Sequence, residues 1–171
     1  MLKQFLPDEH VQSIFDITPE MLLKRNVKGI ITDLDNTLVE WDRPEATPEL
    51  IKWFSSFKEK GILITIVSNN TQQRVSSFSD PVQIPFIYSA RKPMSRAFKR
   101  AIRDMHLKRD EIVVIGDQLL TDVLGGNRLK LHTIMVVPVA STDGLWTRVN
   151  RKIERMLLSW MKRKGMLNWE E

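Results

Sequence analysis

The chain has 171 residues, 42% apolar and 27% charged, with a net charge of +5, a composition that excludes a disordered or fibrous protein and suits one folded domain. It contains no cysteine, which excludes a disulfide framework, thiolate catalysis and cysteine-ligated zinc and fits a reducing compartment. No apolar run approaches the roughly 18 residues of a membrane span, and the start, MLKQFLPDEHVQ, lacks the apolar core of a signal peptide, so a cytoplasmic chain is expected.

From Val27 onward, short apolar runs alternate with helical periodicity. KGIITDL reads as a buried strand. TPELIKWFSSFKEKG reads as a helix with Thr47 as its cap, Pro48 at the first position and Gly61 at its end; Leu50, Trp53, Phe54 and Phe57 form one stripe along it. ILITIVS is a second strand and TQQRVSSF a short helix. PFIYSA is a third strand, followed by the helix PMSRAFKRAIRDMH with Ala97, Ala101, Ile102 and Met105 inward. EIVVIGD is a fourth strand, LLTDVLGGN a helix closing on Gly125 and Gly126, and HTIMVVPV a fifth strand. This order predicts an α/β fold with a parallel sheet of about five strands flanked by helices. The expectation is a single domain over 1–171, with a core at about 27–140 and a basic amphipathic helix at about 145–164.

In an open parallel sheet, ligands bind beyond the carboxyl ends of the strands. Four of those ends carry polar residues: Asp33 and Asp35, Ser68-Asn69-Asn70, Lys92, and Gly116-Asp117. Acids two residues apart on an extended chain project to one side, and each raises the cost of ionising the other unless a cation is held between them. Oxygen ligands without nearby Cys or His favour Mg²⁺. A lysine and donors beside them suit a phosphoryl group, one carboxylate can attack phosphorus, and a second can serve as acid and base.

DLDNTLVEW, VSNN, ARKP and GDQLLTDVLGGNR resemble, in order and spacing, the four motifs of the haloacid dehalogenase (HAD) superfamily. The opening FLPDEHVQSIFDIT and the phrase GDQLLTDVLGGNR are similar to the YqeG-type branch of its class III (IIIA) capless phosphatases, related to phosphatidylglycerophosphate phosphatases. The resemblance implies a Rossmannoid fold without a cap domain and an enzyme, a phosphoric monoester hydrolase. It implies Asp33 as nucleophile and Mg²⁺ ligand, and Asp35 as general acid/base with its carbonyl on the metal. Thr37 would close the motif loop, Ser68 and Asn69 would bind phosphate, and Lys92 would neutralise both phosphate and Asp33. Asp117 would ligate the metal, with Asp122 as its helper. The chain departs from the branch at Lys130, where glycine is expected.

Several features have plainer readings. Asn70-Thr71 reads as a helix cap, Gly125-Gly126 as a helix C-cap, and His10, His106 and His132 as structural or surface residues without ligand spacing. About 30 residues separate Thr37 from Ser68 and about two dozen separate Ser68 from Lys92, too few for a cap domain; the resemblance to capless members of the family then implies a bulky substrate or closure by a homo-oligomer. Arg96, Lys99, Arg100 and Arg103 form an outer basic face on their helix.

In the tail, Trp146, Val149, Ile153, Met156, Leu157 and Trp160 make one stripe among basic residues. That helix either packs on the body, joins a dimer or meets the inner face of a membrane as a peripheral contact. The expected partner is a phosphorylated substrate, with a phospholipid, phosphatidylglycerophosphate, first. A phosphoprotein, a nucleic acid or a sugar phosphate is the alternative substrate. A binding or regulatory protein on the same fold is the alternative function. Nucleic-acid binding is not favoured, because the aromatics fall on inward stripes.

Overall fold

The computed structural model describes residues 2–140 and 145–166, with side chains described at 3–140 and 152–166. Six strands form one all-parallel sheet: β1 (Glu9–Val11), β2 (Gly29–Thr32), β3 (Leu63–Val67), β4 (Phe86–Ile87), β5 (Ile112–Gly116) and β6 (His132–Val136), in spatial order β1-β6-β5-β2-β3-β4. The α/β expectation holds with one strand more than expected. The addition is β1, three residues at the sheet edge with no apolar run to signal them.

Alternation along the central strands fixes two packed faces. Ile30, Ile64, Ile66, Val113 and Ile115 join the cluster beneath α2 (Pro48–Glu59), which contributes Leu50, Trp53, Phe54 and Phe57. Ile31, Val67, Ile112 and Val114 face the other way, onto Ala97, Phe98, Ala101 and Met105 of α4 (Ser95–Met105). Ile102, expected inward, is only half-buried, and the fully buried Phe98 takes that place.

The start and end of α2 follow its sequence signals: the Thr47 hydroxyl accepts from Leu50 N, Pro48 opens the helix, and Gly61 takes φ +72° just beyond it. The short α1 (Pro19–Leu23) is capped by Thr18, whose neighbour Ile17 accepts the indole N–H of Trp53 at 2.9 Å. The remaining helices are α3 (Gln72–Val82), α5 (Leu124–Arg128) and α6 (Leu145–Arg163).

Gly125 and Gly126 lie within α5 rather than at its end, which corrects the C-cap reading. A Cβ at Gly125 would meet Phe98 at 2.5 Å, and one at Gly126 would meet Thr133 at 2.6 Å, so both serve close packing. The turn after α5 does need a left-handed residue, and Lys130 supplies it at φ +58°, the position where glycine was expected.

The tail helix also departs from its expected face. Glu154 and Met161 are buried against the turn that follows β5, Leu157 and Leu158 are half-buried, and Ile153, Met156 and Trp160 are exposed. Trp146 and Val149 lie outside the residues whose side chains are described. No helix among the described residues is long and apolar enough to cross a membrane.

Candidate active site

Strand register sets the site. Thr32 pairs with Ile66 of β3 and with Ile115 of β5, so Asp33 stands level with Val67 and Gly116. Ser68 and Asp117 follow one residue later on either side. Beyond β2 the chain folds into a tight loop in which Asn36 takes φ +62°, Asn36 N–H donates to Val39 O, and Asp35 bridges to Val39. The Asn36 side chain accepts from Trp41 N, and its carbonyl accepts from Val139 N. The loop is thereby tied to the end of β6.

Asp33, Asp117 and Asp122 converge, each offering a carboxylate oxygen, all within 4.8 Å of one another and all buried. Asp122 reaches the cluster because the chain after Gln118 makes a wide π-type turn over Leu119–Val123, a form frequent at functional sites. Gln118 N and the Thr121 hydroxyl both donate to Asp122 Oδ2 at 3.3 Å. The Thr37 hydroxyl donates to Asp117 Oδ1 at 3.0 Å, so Thr37 orients a carboxylate besides closing its own loop.

Lys92 joins the acids. Its Nζ lies 2.6 Å from Asp122 Oδ1 and 2.8 Å from Asp33 Oδ1. Burial opposes its charge, yet the attraction of Asp122 and then of Asp33 outweighs burial and holds the ammonium above its usual range. Burial pushes Asp122 up to about 6, against the pull of Lys92 and with Asp33 adding to the rise. A cis peptide bond joins Lys92 to Pro93, and Asn69 holds the lysine backbone. The Asn69 side chain accepts from Lys92 N at 2.7 Å and donates to Lys92 O at 3.3 Å. The side chain expected on phosphate is thus engaged with the lysine backbone. Ser68 is buried at the end of β3, where its hydroxyl accepts from Asn70 N.

Asp35 stands apart from the three-acid cluster. Its carboxylate is one-fifth exposed and lies 2.9 Å from Arg74 Nη2. It accepts from Arg74 Nε at 3.0 Å and from Asn70 Nδ2 at 2.9 Å. Burial raises its pKa, the Asn70 hydrogen bond opposes that, and Asp33 adds to the rise against Arg74. Arg74 is absent from the sequence reading of the site, and Asn70 enters it only as part of a polar strand end, with no functional role given. Asn70-Thr71 was expected to be a plain cap, but the pair divides its work: Thr71 caps α3 and Asn70 turns to Asp35. A basic residue in the first turn of a helix, against the dipole, was the signal available for Arg74.

Four carboxylates (Asp33, Asp35, Asp117, Asp122) therefore face two cations, Lys92 and Arg74. An excess of two negative charges on hard oxygen donors, largely out of water, fits a divalent cation such as Mg²⁺. A cavity of about 500 Å³, lined by Ile51, Phe54 and Leu63 among others, opens at the start of β3. That is the opposite end of the strand from Ser68, so it does not serve these residues.

Acids from neighbouring strand ends meeting one lysine above an all-parallel sheet are the arrangement of the HAD hydrolases. The HAD-hydrolase-like family profile matches residues 89–138. Over the whole length of both chains, the protein is 69% identical to the probable phosphatase YqeG of Bacillus subtilis. It is 25% identical, over 96% of its own length, to the phosphatidylglycerophosphate phosphatase 1 of Arabidopsis thaliana, spanning half of that larger protein. Among solved structures, an uncharacterised protein from Listeria monocytogenes matches with TM-score 0.55 at 17% identity, covering 69% of this chain and 85% of that one. The cobalt-bound deoxy-D-mannose-octulosonate 8-phosphate phosphatase of Haemophilus influenzae also matches with TM-score 0.55, at 12% identity over 85% of this chain and 92% of that one. Both share the fold. The chain belongs to the YqeG family of HAD phosphatases.

Proposed function

We propose that this phosphatase is a Mg²⁺-dependent phosphate monoester hydrolase, built as one domain over residues 1–171, that works through an aspartyl-phosphate on Asp33. The observation that carries the reading is the buried Lys92 ammonium shared by Asp33 and Asp122 beside Asp117. Asp33, Asp117 and Asp122, with the Asp35 carbonyl, would hold the metal, which would supply positive charge for the phosphoryl oxygens and screen one anion from another.

An Asp33 carboxylate oxygen attacks phosphorus, and the bond from phosphorus to the ester oxygen breaks. Asp35 delivers a proton to that departing oxygen. Asp35 then takes a proton from water as the water oxygen attacks phosphorus. The bond from phosphorus to Asp33 breaks, releasing inorganic phosphate and restoring the Asp33 carboxylate and the protonated Asp35. Lys92 stays charged throughout and faces the equatorial oxygens, with Ser68 as a further donor.

Phosphatidylglycerophosphate is the first substrate to test, on the distant likeness to a phosphatase of that name. The outer face of α6 supports a lipid surface as its setting. Ile153, Met156 and Trp160 are exposed among exposed Lys152, Arg155, Arg163 and Lys164, while Glu154 is turned inward. Such a face suits peripheral contact with an anionic bilayer.

The test is phosphate release from phosphatidylglycerophosphate in mixed micelles with Mg²⁺, with a soluble phosphate monoester and Asp33→Asn alongside. Lipid turnover lost in Asp33→Asn is the expected result. Near wild-type turnover by Asp33→Asn would overturn the mechanism, and turnover of the soluble ester alone would discard the lipid.

A further inference from the structure

We propose that Arg74 and Asn70 are positioning residues that grip Asp35 from two sides and fix its carboxylate toward the departing ester oxygen. The inference rests on the acid/base role given to Asp35 above. Asp35 Oδ1 accepts from Arg74 Nε at 3.0 Å and lies 2.9 Å from Nη2, while Oδ2 accepts from Asn70 Nδ2 at 2.9 Å. The Asn70 amide cannot be turned the other way: its Oδ1 accepts from Thr71 N at 2.7 Å, and a backbone N–H can only donate. Oδ1 thus carries the guanidinium, and Oδ2 meets only a neutral amide. Oδ2 is the oxygen left to exchange a proton with the substrate.

Two costs argue that Arg74 is placed for this contact. It sits in the first turn of α3, where its backbone N–H meets the Thr71 cap and no acidic residue is present, and a positive charge there opposes the helix dipole. Its Nη1 and Nη2 are also buried without an aligned hydrogen-bond acceptor, an arrangement that calls for a compensating role. Closure from solvent also argues against a phosphate-binding arginine, which would present its Nη groups to the cleft.

The experiment uses the full chain with Mg²⁺, an alkyl phosphate monoester and p-nitrophenyl phosphate, whose leaving group departs without a proton. Arg74→Ala and Asn70→Ala are compared with wild type and Asp33→Asn. The expected result for Arg74→Ala is a fall in kcat on the alkyl ester of about 100-fold with KM little changed. On p-nitrophenyl phosphate a burst of nitrophenol persists before slow turnover, because only the second step still needs Asp35. Added guanidinium ion restores part of the Arg74→Ala rate and none of the Asn70→Ala rate. If Arg74→Ala fails to fold, Asn70→Ala carries the test with a smaller fall, about 10-fold, and the same burst.

A raised KM with unchanged kcat on both esters would overturn the proposal, making Arg74 a substrate-binding residue. Equal losses on the two esters without a burst would also overturn it. An inactive Asp33→Asn beside unaffected Arg74 and Asn70 variants would sink this inference alone, whereas an active Asp33→Asn would sink the mechanism beneath it.

Discussion

Lys92 Nζ lies 2.6 Å from Asp122, closer than the 2.8 Å that separates it from Asp33. The lysine is therefore a brace between the acid at the end of β2 and the acid in the turn after β5. Lys92→Met keeps most of the volume and removes the charge, leaving two buried carboxylates opposed. Breaking a buried pair from one side costs about 3–5 kcal/mol. The expected outcome is a loss of that order in urea unfolding with chelator present, partly returned by Mg²⁺, and loss of phosphatase turnover. Unchanged stability in chelator would show that Asp122 and Asp33 do not depend on the lysine.

Gly116 ends β5 where Asp122 folds back over it. A Cβ at this position would stand 2.2 Å from Asp122 Cγ, inside any non-bonded contact, so Gly116→Ala must displace Asp122. Overpacking of this kind costs about 1–3 kcal/mol. In the proposed metal site, displacing Asp122 should weaken Mg²⁺ affinity by about 10–100-fold. A Mg²⁺ titration followed by thermal shift, at fixed pH, measures both effects.

The strand ends were legible because each apolar run stops at a polar residue, and register does the rest. Once Thr32 pairs with Ile66 and Ile115, Asp33, Ser68 and Asp117 must meet. Lys92 was readable by position, but its second partner was not. Asp122 reaches it only through the wide turn after Gln118, and nothing in LLTDV distinguishes that turn from an ordinary helix. Asn70 and Arg74 were hidden for a related reason, since their partner Asp35 is more than thirty residues away in sequence. On α6 the periodicity showed an apolar stripe, yet the body took the neighbouring face, because Glu154 meets a backbone N–H there at Leu120.

In the proposed metal site, proton and metal compete at Asp122. Its carboxyl is raised to about 6 by burial, against Lys92, with Asp33 adding to the rise, from an ordinary value near 3.8. Between these values the native state keeps a proton that the unfolded state has lost, so this group's contribution makes stability fall as pH rises through the window. Below about pH 6 a metal must displace that proton, and above it the carboxylate is already free of it. Mg²⁺ should therefore raise the melting temperature more at pH 8 than at pH 5. Thermal unfolding with and without Mg²⁺ at the two pH values checks this, and an equal shift at both would remove Asp122 from the metal site.

Glu154 ties α6 to the turn that carries Asp122. It is buried, and its Oε1 accepts from Leu120 N at 3.0 Å, within the turn that carries Asp122. Glu154→Ala leaves that N–H without its carboxylate, at a cost of about 1–3 kcal/mol. Met161 and Leu158 still pack against Leu119, Val123 and Met135, so the helix should loosen locally without the sheet unfolding. Trypsin should then cut among the basic residues of α6 well before the rest of the chain, with kcat on a soluble ester little changed. Wild-type cleavage kinetics would mean that the apolar contacts alone hold the helix. A collapse of kcat would mean that the Leu120 contact sets the turn, and with it the place of Asp122.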